Sequence, residues 1–175
     1  MAENERAERK LILHDLEAEE AALYLPGGSG NITLFPAYPV IHDCIGCFGC
    51  WIKTPGQCVI DDRGREFGKL IPEHDAFVIV SKCVYGSLSP DVKLMLERNI
   101  FVSLPFFHIV NGEMHHEPRY SRMPSLSYHF YGSDIMATEK ETAKKLIAAN
   151  ALNLYAPEYS VSFHSSISDI KEALV

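Results

Sequence analysis

Asp75-Ala76-Phe77-Val78-Ile79-Val80-Ser81 is a nearly continuous apolar run, and it constrains the fold of this chain more than any other stretch. Without polar and apolar residues in alternation, such a strand needs cover on both faces, as a central strand of a parallel sheet has. Parallel neighbours require crossover connections, most simply helices. The rest of the chain reads accordingly. Lys10 to His14 is a short apolar strand, followed by a weakly helical stretch from Asp15 to Leu25 that Pro26-Gly27-Gly28 stops. Asn31 to Phe35 alternates as a second strand, and a Pro-, Gly- and Cys-rich loop follows it.

Arg63 to Ile71 is expected to form a short helix. Ser89-Pro90-Asp91 supplies an N-cap, a proline at the first helical position and an acid in the first turn of another. Residues 101 to 124 contain three prolines and read as an extended excursion. Ser125 to Tyr131 is a strand ending at Gly132. Thr138-Glu139-Lys140-Glu141 has the form of a capping box before the apolar stripe Ala143, Leu146, Ile147, Asn150, Ala151 and Leu154. Tyr159 to Phe163 is a last strand and Ile167 to Leu174 a terminal helix. Strand and helix alternate five times, the pattern of an open, mainly parallel α/β sheet.

At 175 residues, a single domain spanning 1–175 is expected to bury roughly 70% of its unfolded surface. The acidic, polar residues 1–8 are expected to fray, and residues 36–62 form the cysteine-bearing loop. Lys and Arg total 16 against 23 Asp and Glu, a net charge of −7, which lacks the basic footprint of a nucleic-acid binder. The start of the chain has no signal-peptide pattern and no stretch reaches the length of a membrane span, so the expected location is the cytoplasm. In that reducing compartment the 5 cysteines read as thiols or metal ligands, not as a disulfide framework.

Cys44, Cys47, Cys50 and Cys58 are spaced C-x2-C-x2-C-x7-C. Gly46 and Gly49 let a tight loop turn sharply enough for three cysteines to converge, and the fourth completes a four-sulfur shell. Both zinc and a 4Fe-4S cluster use that shell. The compact triple leans toward iron and sulfur, with zinc, redox-active thiols and plain buried thiols as the other readings. In an open α/β sheet ligands bind beyond the carboxyl ends of the strands. The cysteine loop, the turn Lys82-Cys83-Val84-Tyr85-Gly86-Ser87 and the turn at Gly132 all follow strands, so they are expected to face one crevice suited to a planar redox cofactor. The adjacent His115 and His116, with Glu117, read as a surface or subunit-interface patch. The remaining histidines carry no spacing signal, and no hydrolytic arrangement stands out.

The segment from Cys44 through Cys47-Phe48-Gly49-Cys50-Trp51 and Thr54-Pro55-Gly56-Gln57-Cys58 to Asp61-Asp62 resembles the flavodoxin-like NAD(P)H-dependent FMN reductases, in particular the iron-sulfur flavoprotein branch. Val84-Tyr85-Gly86-Ser87-Leu88-Ser89 and the helix with Lys93 and Arg98 carry the same resemblance. It implies a flavodoxin-like three-layer sandwich with a five-stranded parallel sheet of order 2-1-3-4-5 and a shortened first helix. It also implies FMN at Lys82, Cys83, Val84, Tyr85, Gly86, Ser87 and Gly132, a 4Fe-4S cluster at the four cysteines, and NAD(P)H as donor. Homodimers or homotetramers follow from it too, with room for a protein electron donor or acceptor.

The family's first strand runs into a phosphate-holding loop of the type Ser-Pro-Arg-x-x-Gly-x-Thr, whereas here Asp15-Leu16-Glu17-Ala18-Glu19-Glu20 follows and places carboxylates there. Cys83 stands where the family has a proline. The glycines from 27 to 30 lie at the opposite edge of the expected sheet. The first reading is therefore a flavin-dependent oxidoreductase or electron-transfer protein. Its alternative is a degenerate flavodoxin-like binding or assembly subunit with a zinc or structural cysteine loop and no flavin.

Overall fold

The computed structural model describes residues 7–27, 30–65 and 67–174. Most of the expected frayed start, and Gly28 and Ser29 of the glycine-rich turn, lie outside the described residues. Among those described, the strands β1 (Lys10–His14), β2 (Ile32–Pro36) and β3 (Ala76–Lys82) form the first half of a parallel sheet. Its helices are α1 (Ala18–Tyr24), α2 (Gly49–Ile52), α3 (Phe67–Glu73) and α4 (Pro90–Glu97). A hairpin of β4 (Ser103–Val110) and β5 (Glu113–Pro118) follows. Then come β6 (Ser125–Tyr131), α5 (Ala137–Asn153), β7 (Tyr159–His164) and α6 (Ser168–Leu174).

The sheet runs β2-β1-β3-β6-β7 with every pairing parallel. Counted without the hairpin strands, this is the order 2-1-3-4-5 of a flavodoxin-like fold, as expected. β3 is central and buried from Ala76 to Ser81. Its side chains alternate between two cores. Phe77 and Ile79 meet Phe67 and Ile71 of α3, Val92 and Met95 of α4, and Ala143, Ile147 and Ala151 of α5. Val78 and Val80 meet Ala21 of α1, Leu25 and Ile170 of α6. Helices on both faces make the three layers that the apolar run demands. Among the described residues, no helix is long and apolar enough to cross a membrane.

Three local readings change. Residues 101 to 124 contain an antiparallel hairpin, and Pro105 is accommodated in it because the β4–β5 register shifts between Ser103 and Phe107. The helix expected to be capped by Thr138 is capped at Met136 and begins at Ala137. Glu139 reaches back to accept from the Met136 N–H at 2.9 Å, so the box sits two residues earlier and lacks a hydroxyl cap. The stretch from Arg63 splits into a 3-10 turn, Arg63–Arg65, and α3.

One feature of the sheet had no sequence signal. His129 on β6 and His164 on β7 bring Nδ1 and Nε2 to 3.1 Å, with the rings stacked. Burial first, and His164 second, pull the His129 pKa from 6.5 down to about 4. Below pH 6.5 the unfolded chain takes up a proton that the folded one refuses, so stability present above that pH is lost as the pH falls toward 4. In urea titrations across this window, His129→Gln should lose less stability than the parent. Equal losses would show that the pair does not govern the acid limb.

Candidate functional site

The four cysteines of the loop surround one cavity of ≈ 40 Å³, with Phe48, Val59, Ile60 and Ile100 as apolar walls. Backbone geometry makes this possible. Gly46 and Phe48 take φ of 63° and 53°, which folds the loop sharply into α2. A side chain at position 49 would come within 2.6 Å of Val59, so only glycine lets the two halves of the loop close. The Gly49 N–H points at the Cys47 sulfur, 3.4 Å away. Gly56 N–H donates to the Cys50 carbonyl at 3.0 Å, and Cys58 N–H to the Arg65 carbonyl at 3.3 Å. Cys50 is buried, Cys58 half-buried, and Cys44 and Cys47 are exposed. Burial raises the Cys50 thiol pKa most, and the neighbouring Cys58, Cys44 and Cys47 raise it further.

Arg98, just past α4, closes the floor of this cavity and is 1% exposed. Its guanidinium forks onto Asp62 at 2.9 and 3.0 Å, donates to the His42 carbonyl, and reaches the Cys58 sulfur at 3.3 Å. Asp62 also accepts from the His42 and Gly64 N–H groups, each at 3.0 Å. Burial pushes the Asp62 carboxyl up, but the Arg98 fork and these amides outweigh it and hold the pKa below 3.8. Arg98 carried part of the family resemblance, but the cysteine spacing did not tie it to the loop, because its partners lie 36 to 56 residues away.

Among the described residues, no group of three or more His, Cys, Asp or Glu side chains is placed to hold a metal ion. Four thiolates around one zinc stand about 3.8 Å apart, since each bond is about 2.3 Å. A cluster instead gives each thiolate its own iron at a corner of a larger core. All four cysteines line the one cavity, which is the donor set that either centre would need.

The second group of predicted residues lies elsewhere. Val84 and Ser87 exchange N–H to carbonyl bonds of 2.9 Å around a tight turn at Tyr85 and Gly86, whose φ are 52° and 76°. Gly86 abuts α5, where a Cβ would meet the Glu139 carbonyl oxygen at 2.7 Å. Tyr85 is 88% exposed. Lys82 is exposed, and the half-buried Cys83 hydrogen-bonds through its N–H to the Tyr131 carbonyl at 2.9 Å. Gly132 continues the same edge, its N–H on the His164 carbonyl at 3.1 Å. No residue of this turn lines the cysteine cavity, which corrects the expectation of one shared crevice. The 8 residues of α4, about 12 Å of helix, separate the turn from Arg98. The cysteine loop is drawn to the far end of α4 by Arg98 and by the Trp51 indole N–H, which donates to the Ser103 carbonyl at 2.9 Å.

Beyond β1, where the family resemblance puts a flavin phosphate, stands Asp15. Its carboxylate accepts from the Lys82 N–H at 2.9 Å and from the Tyr131 hydroxyl at 3.0 Å. Burial, reinforced by Asp15, pushes the Tyr131 hydroxyl pKa far up. α1 has 7 residues, and Glu19 and Glu20 occupy its first turn. A dianion meets fixed negative charge here, so the phosphate end of FMN does not fit. His115 and His116 diverge along β5. His115 bonds Asn153 at 3.0 Å, while His116 bonds the Leu104 carbonyl at 2.8 Å and packs on Trp51.

No protein-family model matches the chain, and no curated protein matches it significantly by sequence. Solved structures do. An FMN-dependent NADH-azoreductase from Bacillus anthracis, in complex with FMN, is 13% identical over 96% of this chain and 98% of its own, with a TM-score of 0.56. An NADPH-quinone reductase from P. pentosaceus is 12% identical over 95% of this chain and 92% of its own, with a TM-score of 0.50. A tryptophan halogenase from Streptomycin violaceusniger is 16% identical over 91% and 86%, with a TM-score of 0.52. The activities named for these proteins differ. What this chain shares with them is the flavodoxin-like α/β frame.

Proposed function

We propose that this chain is an oxidoreductase of the electron-transfer kind. Its resident redox centre is a 4Fe-4S cluster bound through Cys44, Cys47, Cys50 and Cys58, and it exchanges electrons with a flavin that NAD(P)H reduces. The observation that supports this reading is that all four cysteines line one small apolar cavity. The cluster supplies one-electron chemistry. The chain supplies the thiolates, the apolar wall against water and a fixed cation against Cys58.

The flavin part rests on the fold shared with an FMN-dependent azoreductase and a quinone reductase, and on the exposed Tyr85 ring at the carboxyl edge. The carboxylates at Asp15, Glu19 and Glu20 do not suit the FMN phosphate, so the flavin is an exchanging partner and not a resident group. A second reading, a flavodoxin-like binding subunit with no flavin at all, draws its support from the same carboxylate.

Anaerobic isolation followed by iron, sulfide, zinc and flavin assays and a visible spectrum tests both. A brown protein with iron and sulfide supports the cluster. A colourless protein with one equivalent of zinc overturns it. In fluorescence titrations FMN should bind no more tightly than riboflavin, because Asp15 offers its phosphate no donor. FMN binding tenfold tighter would show that phosphate donors exist after all.

A further inference from the structure

Resting on the cluster reading above, we propose that Arg98 sets the reduction potential of the centre held by Cys44, Cys47, Cys50 and Cys58. It acts through the bond from its guanidinium to the Cys58 sulfur, and Asp62 is the positioning residue that aims it.

A guanidinium 1% exposed is costly to bury unless every donor is used and its charge is answered. Asp62 answers the charge through a two-point fork at 2.9 and 3.0 Å. That fork and the His42 carbonyl take three of the five guanidinium hydrogens, and the buried Nε has no partner among the described residues. The Nη2 atom nevertheless directs a further hydrogen at the Cys58 sulfur, 3.3 Å away. The arginine comes from outside the cysteine loop, on the residue after α4, so core packing by Val92 and Met95 fixes where it stands.

The electrostatic consequence follows from charge counting. Four thiolates around a cluster core of charge 2+ carry a net −2, and one electron from a low-potential donor such as a reduced flavin makes it −3. No proton moves, because the arginine stays charged in both states. A fixed cation in a water-poor site favours the more negative state and so raises the potential. Asp62 opposes that effect in part while holding the fork in line.

The test is an anaerobic reductive titration followed by electron paramagnetic resonance, with iron and sulfide counted on each sample. Arg98→Met and Arg98→Lys should lower the ratio of reduced to oxidised centre at a given potential tenfold or more, a shift of about 59 mV for one electron. Lysine keeps the charge but not the planar fork, so its shift is the smaller of the two. Asp62→Asn leaves Arg98 in place with less of its charge cancelled, and should move the potential the opposite way. A purely structural Arg98 would alter iron content or stability and leave the potential of the loaded molecules where it was. If Arg98→Met fails to fold, the opposed shifts of Arg98→Lys and Asp62→Asn still decide. Iron-loaded variants all within threefold of the parent ratio would overturn this inference alone. A parent protein free of iron and sulfide would overturn the cluster reading and this one with it.

Discussion

Cys50→Ser should leave the protein folded and almost free of iron and sulfide, while Cys83→Ser should keep the parent content. Cys50 is the most enclosed of the four sulfurs, on α2 at the back of the cavity. Burial and the other three cysteines all raise its thiol pKa, so as a free thiol it stays protonated. Iron bound there must take the place of that proton, and serine in its stead removes the most enclosed sulfur of the site. Losing a group that only orients ligands typically costs roughly 10–100-fold in metal affinity, and losing a ligand should cost more. Cys83 stands at the carboxyl edge of β3, where burial raises its thiol, and it does not line the cavity. Iron and sulfide per chain, measured on both variants after the same anaerobic reconstitution, decide the matter. Equal iron in Cys50→Ser and the parent would remove this cysteine from the site.

Asp62→Ala should destabilise the protein by about 3–5 kcal/mol, the usual cost of leaving a buried charge without its partner. The loss follows from Arg98, whose side chain has 0% exposure against 15% for Asp62, so water cannot replace the carboxylate. The cysteine loop would detach as well, since Asp62 ties His42, Gly64 and Arg98 together. The pH dependence has a definite sign. The folded pKa of Asp62 lies below 3.8, so its contribution is complete above that value and is lost as the pH falls through the folded one. Urea unfolding at neutral pH gives the magnitude. Repeating it in acid should show the parent and Asp62→Ala curves drawing together. A neutral-pH difference under 1 kcal/mol would mean that Arg98 finds other partners.

Much of this was legible in the residues themselves, and the reasons differ by element. The run Ala76 to Ser81 could only be a strand covered on both faces, and that requirement implied the parallel sheet and its two helix layers. Pro90 after Ser89 marked the start of α4 because its cost is lowest at a first helical turn. The start of α5 was misplaced by two residues, because Glu139 and Glu141 were both able to reach back and the local pattern does not rank them. The hairpin was hidden by Pro105, which is unusual in a strand and tolerated at an irregular register.

The site divides in the same way. The sharp turns of the cysteine loop are a short-range matter of glycine backbones, so the sequence by itself determined them, together with the alternation of strand and helix and the acidic segment after β1. Where the loop docks was decided by contacts between residues far apart in the chain, Arg98 with Asp62 and Trp51 with Ser103. Only the tertiary structure could move the cysteines from the Tyr85 turn to the far end of α4, seat Asp15 on Lys82 and Tyr131, and pair His129 with His164. Local pattern reports backbone preference and burial. It carries no information on which distant partner satisfies a buried charge, and that choice set the geometry of this site.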